Sequence, residues 1–341
     1  MSTTSGRAVL VCVVGVHLLV LAAPWVAPYD PASQHRQTPF APPTRLHFVD
    51  AHGRGHVRPF VCAIAAAPGA GFQYVEDCSK TFPVRLFVRR DSFAGFTTRS
   101  AIHLFGVEAP GELFLIGTDE FGRDEFSRVL VGARVSLRIA FAATVLSVAI
   151  GTLLGSMAGY LRGLIDALVS AATELVFALP WLYLLLAVRA ALPLSLAPAQ
   201  AFAAIMLVLV ALGWALPARL VRAVVATMRT QDYVAAATAA GATTTYVLRR
   251  HVAPGLPVVL VPVALQLMPQ YVLAETTLSL FGLGVAEPVP SWGGMLAGAL
   301  RPQVLVHGWW LLAPVAGLIA VCVMYYLLAR TLRSVPHQQR L

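Results

Sequence analysis

With 341 residues, 58% of them hydrophobic and 12% charged, and a mean hydropathy of +0.73, the chain is too apolar for a soluble protein, which would carry about twice that charged fraction. The formal charge of +9 rests almost wholly on arginine, Lys80 being the only lysine. In so apolar a chain these arginines set membrane orientation and decorate an extramembrane region, and no nucleic-acid partner is expected. The class expected is an all-α polytopic membrane protein of about six transmembrane helices, with a mixed extracytoplasmic insertion between the first and second helices.

A membrane helix needs roughly 20 apolar residues. Runs at about 8–27, 135–159, 167–192, 201–221, 258–280 and 309–330 meet that requirement. The first follows Arg7 and resembles a signal peptide, but it has no clear small-residue cleavage site and is closed by Pro24 and Trp25. Residues 1–27 are therefore expected to form a cytoplasmic N-terminus and a retained first span. The short loop 222–257 holds Arg222, Arg229, Arg249 and Arg250, and the C-terminal end holds Arg330, Arg333 and Arg340, whereas the opposite short loops 193–200 and 281–308 hold only Arg301. The positive-inside rule then puts both termini, the tail 336–341 and the loop 222–257 in the cytoplasm of a multi-pass bacterial inner-membrane protein.

Residues 28–134 form the insertion on the other side, with an amphipathic surface helix at its end. A proline-rich start gives way to RLHFVDAHGRGHVRPFVC and FPVRLFVRR, which read as short strands between glycine turns. His47, His52 and His56 invite a metal, but no acidic or cysteine residue completes a recognisable ligand spacing, so surface histidines are the expectation. Cys62 and Cys78 are the cysteines of this region and are expected to form a disulfide, which over a loop of about 15 residues would contribute roughly 3 kcal/mol. Cys12 and Cys322 lie in apolar runs and read as small buried hydrophobes. From Asp124 the alternation of charged and apolar residues predicts a helix on the membrane surface leading into the second span, with Thr118 or Asp119 capping a turn that Gly122 breaks.

The second span carries Gly151 and Gly155, a small-xxx-small step that permits close helix packing, and Arg162 and Asp166, four apart, form a local ion pair. Polar residues within the spans are few: Glu174, Arg189, Gln266, Gln270 and Glu275. Glu174 and Arg189 suit opposite ends of one span. Glu275, with Gln266 and Gln270, is a candidate for lining a pathway or pairing at a subunit interface, the second being favoured.

The stretch from Asp232 to Pro257 is a compact, alanine-rich helix-turn-helix held between two apolar runs. Alanine gives helix propensity with a slim surface, Gly241 lets the chain turn, and Pro254 and Pro257 stiffen the exit. With Tyr233 near one end, such a helix suits the groove of a partner protein. There is no Walker A sequence, HExxH, paired CxxC or GxSxG elbow, so no intrinsic ATPase or hydrolase is visible and no catalytic, cofactor or metal residue is assigned.

This loop resembles the "EAA" loop of permease subunits from ABC importers: Ala235, Ala236 and Ala237, three residues, Gly241, then Arg250 to Pro254. GTDEFGRDEFSRVLVGARVSL at 117–137 and ETTLSLFGLGVAEPVPSWGGML at 275–296 are similar to blocks of the dipeptide/oligopeptide/nickel branch, and within it to the C-type subunit. Together the three blocks cover roughly residues 117–335. The resemblance implies a permease domain over 135–335 with five helices, forming half of a translocation path for peptides or similar small solutes. It implies a second permease subunit, two ATP-binding subunits that hydrolyse ATP on the chain's behalf, and an extracytoplasmic substrate-binding protein. It assigns ATPase coupling to Asp232, Tyr233, Ala235, Ala236, Ala237, Gly241, His251 and Pro254. The motif's glutamate is replaced here by Ala235, so helix shape and Gly241 must carry the coupling. A permease for a non-peptide solute such as nickel, and a membrane enzyme or assembly factor on a similar bundle, are the alternative readings.

Overall fold

A computed structural model describes residues 3–50, 53–67, 72–89, 102–191, 193, 197–285, 287–301, 304 and 308–333. The chain divides into two compact units, one of Met1–Val11, Leu137–Leu278 and Val321–Leu341 and the other of Cys12–Ser136 and Ser279–Ala320. His52 and the tail 336–341 lie outside the described residues.

Among the described residues, four helical stretches are long and apolar enough to cross a membrane: Glu125–Leu161, Ala199–Met228, Pro257–Leu280 and Trp309–Leu332. The first is a single helix, α3, and the second joins α6 (Pro198–Gly213) to α7 (Ala215–Met228). The third is α10 (Pro257–Leu280), and the fourth is a 3-10 turn followed by α11 (Ala313–Arg333). α10 carries Pro262 and Pro269 inside it, as membrane helices tolerate when neighbours satisfy the freed carbonyls.

Two expected spans come out differently. The run 167–192 is split, because Pro180 has no amide hydrogen to donate and pushes Leu179 into extended backbone. The result is α4 (Gly163–Ala178) and α5 (Trp181–Ala190), each shorter than a bilayer core. Glu174 and Arg189 therefore sit on different helices rather than at two ends of one; the Arg189 side chain lies outside the described atoms. The run 8–27 becomes α1 (Thr3–Leu21), whose described apolar part is Arg7–Leu21, and a short α2 (Ala23–Val26) opened by Pro24. Of the cysteines in apolar runs, Cys12 is exposed and Cys322 half-buried in this single chain.

The stretch expected to be a surface helix from Asp124 forms the first turns of α3, continuous with the span, and Glu125, Ser127 and Arg128 in it are buried.

In the helical unit, close approach is built from glycine. A β-carbon on Gly151 would meet Pro217 and the Trp214 carbonyl at 2.7 Å, on Gly155 the Ala218 carbonyl at 2.4 Å, and on Gly159 the Arg222 carbonyl at 2.6 Å. Three glycines four apart thus let α3 lie backbone to backbone on α7, which extends the step read at Gly151 and Gly155. At the end of that row Asp166 pairs with Arg162 at 3.5 Å and more closely with Arg222.

The other unit carries β1 (His47–Val49), β2 (Gly55–Ala66) and β3 (Tyr74–Pro83) as one antiparallel sheet, and β4 (Arg85–Arg89) with β5 (Ile102–Gly106) as another. Its interior mixes small apolar clusters with buried polar and charged groups. Val61, Val107 and Leu113 form one buried cluster and Tyr29, Ala41 and Phe114 another. Cys62 on β2 is bonded to Cys78 on β3. The segment before α3 closes on itself: Thr118 bridges Asp124, and the Asp119 carboxylate accepts the amides of Phe121 and Arg123, both at 2.9 Å. Gly122 (φ +72°) approaches His35 so closely that a β-carbon would lie 2.0 Å from its carbonyl oxygen.

Candidate functional site

The loop after α7 is assembled from short helical pieces. α8 (Asp232–Ala239) ends in a Schellman motif: the Ala242 amide donates to the Ala237 carbonyl and the Gly241 amide to the Thr238 carbonyl, both at 3.0 Å. Gly241 takes the left-handed φ of +86° that this cap requires, and nothing lies within 4 Å of where its β-carbon would be. Thr243 then caps α9 (Thr244–Val247), its hydroxyl accepting the Tyr246 amide at 3.3 Å. A π-helical turn Leu248–Val252 and a 3-10 turn Ala253–Gly255 lead into α10, with Pro254 in the 3-10 turn.

This loop has two faces. Inward, Val252 and Leu256 are buried with Val221 and Val225 of α7, flanked by Tyr160, Met228 and Leu260. Gly255 makes room for Met228, whose Cε would lie 2.3 Å from a β-carbon there. Val234 and Val247 are buried as well. Outward, Asp232, Tyr233, Ala235, Ala236, Gly241, Tyr246, Arg249, Arg250 and Pro254 are exposed, and Ala237 and His251 are half-buried. The His251 ring centroid lies 5.9 Å from those of both Tyr233 and Tyr246, so three aromatic rings form one outward patch beside two arginines. Tyr246 and the valine–leucine anchor were missed in the sequence; only the folded turn brings Tyr246 to His251.

A second feature lies in the helical bundle. Phe177, Trp181, Leu209, Gly213, Gln270 and Tyr271 are among the residues lining a cavity of about 190 Å³. The Tyr271 hydroxyl hydrogen-bonds Ser147 at 2.8 Å, and Gly213 leaves the space it occupies. Of the three polar residues singled out on α10, Gln270 lines this cavity, Gln266 is exposed and Glu275 is wholly buried. The three thus differ in setting along one helix. Ser147, Gly213 and Tyr271 carried no signal in the sequence, being ordinary members of apolar helices.

The other unit holds a charged cluster. Arg128, buried at 2% exposure, donates to Glu287 at 2.7 Å and to the Pro31 carbonyl at 3.2 Å, and Arg123 binds Asp119 at 2.6 Å and Glu287 at 3.0 Å. Partial burial pushes the Glu287 carboxyl up, but the guanidiniums of Arg128 and Arg123 outweigh it and hold the group below its usual range. Asp124 behaves oppositely: complete burial pushes it up to about 6, against hydrogen bonds from the Ser127 side chain and amide.

Residues 151–334 match the family model described as "Binding-protein-dependent transport system inner membrane component". The chain is 35% identical over 213 residues to the oligopeptide transport system permease protein OppC of Bacillus subtilis, covering 62% of this chain and 67% of that one. It is 31% identical over 295 residues to the di/tripeptide transport system permease protein DppC of Pseudomonas aeruginosa, covering 86% of this chain and 74% of that one. It is 33% identical over 229 residues to OppC of Salmonella typhimurium, covering 66% and 72% of the two chains. The matched residues contain the glycine row from Gly151, the loop Asp232–Pro257 with its exposed patch, and the cavity beside Tyr271. The chain therefore belongs to the binding-protein-dependent transport system inner membrane components, the permease subunits of ABC importers.

Proposed function

We propose that this chain is one of two permease subunits through which an ABC importer passes peptides or similar small solutes, driven by ATP hydrolysed on separate subunits. The observation that carries the reading is the two-faced loop. Its inner face is locked to α7 by Val252 and Leu256, and its outer face offers Tyr233, His251 and Tyr246 to a partner. An exposed patch of this kind, built of aromatic rings beside arginines, suits a protein partner, since aromatic and arginine side chains dominate binding hot spots. The coupling roles belong to Asp232, Tyr233, Ala235, Ala236, Ala237, Gly241, His251 and Pro254. The names of the relatives support peptides as cargo, and the arginines support a cytoplasmic loop and cytoplasmic termini. On this reading α1 with α2, and α4 with α5, complete a set of six crossings, and residues 28–134 face the substrate-binding protein.

The cavity beside Gln270 and Tyr271 is proposed to lie on the translocation path, with Glu275 held structurally rather than lining it. Cofactors are proposed to be absent from this chain itself. Reconstitution tests the reading. ATP-dependent peptide uptake into proteoliposomes should require this chain together with a second permease, two ATP-binding subunits and a binding protein. Substrate turnover by this chain alone would refute it.

A further inference from the structure

The strands of the three-stranded sheet gather four side chains that the sequence scatters. His47 comes from β1, Cys62 from β2, and Glu76 and Cys78 from β3. One ligand-type atom from each lies within 4.8 Å of all the others. The ligands of a tetrahedral zinc site, with bonds of about 2.0–2.3 Å, stand roughly 3.3–3.8 Å from one another, so the set is near that geometry apart from the bonded sulfurs. His47 Nε2 and Glu76 Oε2 are already 3.0 Å apart, and the His47 ring is stacked on Phe60 at 5.8 Å between centroids, which fixes its direction. The companions of His47 in this cluster lie 15, 29 and 31 residues away, on other strands, so no local ligand spacing signals them in the sequence.

We propose that Cys62, Cys78, His47 and Glu76 form a redox-gated site for a tetrahedral divalent metal of the zinc type: closed while the two cysteines are joined, open when they are reduced. The sheet is built to let the sulfurs part. Cys62 pairs with Thr81 and Ala63 with Asp77, so Cys78, Ser79 and Lys80 bulge out with no ladder partner opposite them. Cys78 can swing by the required distance without breaking a strand pairing. Asp77 already holds that bulge, accepting the Ser79 amide at 3.0 Å and its hydroxyl at 2.6 Å. Cys78 is exposed, so a reductant reaches it, while Cys62 is buried and keeps water from one side of the metal. Opening takes two electrons and two protons from a dithiol, whose own sulfurs become joined. Binding of the dication then releases both thiol protons to solvent, and the neutral His47 ring supplies Nε2. Soft thiolates with an imidazole and a carboxylate favour zinc over magnesium or calcium. The proposal is independent of what the chain transports.

The test uses the full chain in detergent, without an affinity tag and with Cys12→Ser and Cys322→Ser, so that the only thiols are the two in question. The probe is Co²⁺, whose thiolate charge-transfer and tetrahedral d–d bands report sulfur ligation. Oxidised chain should show neither band. After phosphine reduction and removal of the phosphine, one Co²⁺ per chain should bind with both bands, and Zn²⁺ should displace it. His47→Gln and Glu76→Gln should each weaken binding by more than about tenfold, since loss even of an outer-sphere partner costs 10–100-fold. A measurement on the unmutated pair accompanies this: Zn²⁺ should slow alkylation of the reduced thiols at least about tenfold, as a bound thiolate is a poor nucleophile. Absence of the bands after reduction would overturn the proposal. So would bands and affinities unchanged in both glutamine variants, or alkylation indifferent to Zn²⁺.

Discussion

The hydroxyl of Tyr271 occupies the space that a side chain at Gly213 would need: a β-carbon there would lie 1.5 Å from the hydroxyl oxygen and 2.6 Å from the ring carbon bearing it. Gly213→Ala should push Tyr271 off its 2.8 Å bond to Ser147 and cost about 1–3 kcal/mol, the usual range for overpacking. Tyr271→Phe removes the atom in closest conflict and should recover part of that loss. The check is thermal unfolding in detergent of both single variants and the double variant. Strictly additive effects would show that the two positions do not share this space.

Gly241 separates shape from bulk. Its φ of +86° makes Gly241→Ala and Gly241→Trp alike in backbone strain, about 1–2 kcal/mol, and the open space around it accepts either side chain within the chain itself. Asn tolerates this conformation better and serves as the control. If the loop seats in a partner's groove, uptake should be near normal for Gly241→Asn, reduced for Gly241→Ala and abolished for Gly241→Trp, with membrane insertion intact in all three. Equal uptake by the Ala and Trp variants would show that nothing closes over this residue.

Glu287 neutralises a buried arginine. Glu287→Ala leaves Arg128 with Asp119, 3.7 Å away, as its nearest carboxylate. Because Glu287 is itself half exposed, the loss should fall at or below the low end of the 3–5 kcal/mol seen for broken buried pairs, about 2–3 kcal/mol. Glu287→Gln, which still accepts a hydrogen bond, should cost less. Since the folded carboxyl is held low, its contribution is present above the unfolded carboxylate range and disappears as pH falls through the lowered value.

Asp124 has the reverse sign. Raised to about 6 in the fold, it favours the folded state when protonated, and that advantage is lost as pH rises from about 4 through 6. Its Oδ1 is buried without a hydrogen-bond partner among the described residues, while Oδ2 accepts both bonds from Ser127. Asp124→Asn should keep the Ser127 bonds and gain stability relative to the parent as pH rises, by on the order of 3 kcal/mol at neutral pH. Unfolding midpoints of the two chains measured from pH 4 to pH 8 should diverge; parallel curves would place the ionised group in a better-solvated setting.

How far the sequence could be read depended on how local each feature was. Apolar runs and arginine placement announced membrane helices, and Gly241 with its alanine-rich approach announced the loop, because capping and helix propensity act within a few residues. The break at Pro180 was visible too, but hydropathy averaged across it and turned two helices into one. Polar contacts between distant segments were not legible. Arg128 and Glu287 are 159 residues apart, and Ser147 and Tyr271 are 124 apart. The burial of Glu125, Ser127 and Arg128 after Asp124 was illegible for the same reason: partners such as Glu287 come from elsewhere in the chain.

The packing of Val252 and Leu256 onto Val221 and Val225 has a mechanical consequence. A close-packed apolar contact has low compressibility and passes strain on instead of absorbing it. The exit of the loop and the last two turns of α7 therefore move as one stiff body, with no slack between them. Gly155 and Gly159 then put the backbone of α3 directly against that body. A load applied to the patch of Tyr233, His251 and Tyr246 would reach two long helices at once, geared by the loop without being stored in it.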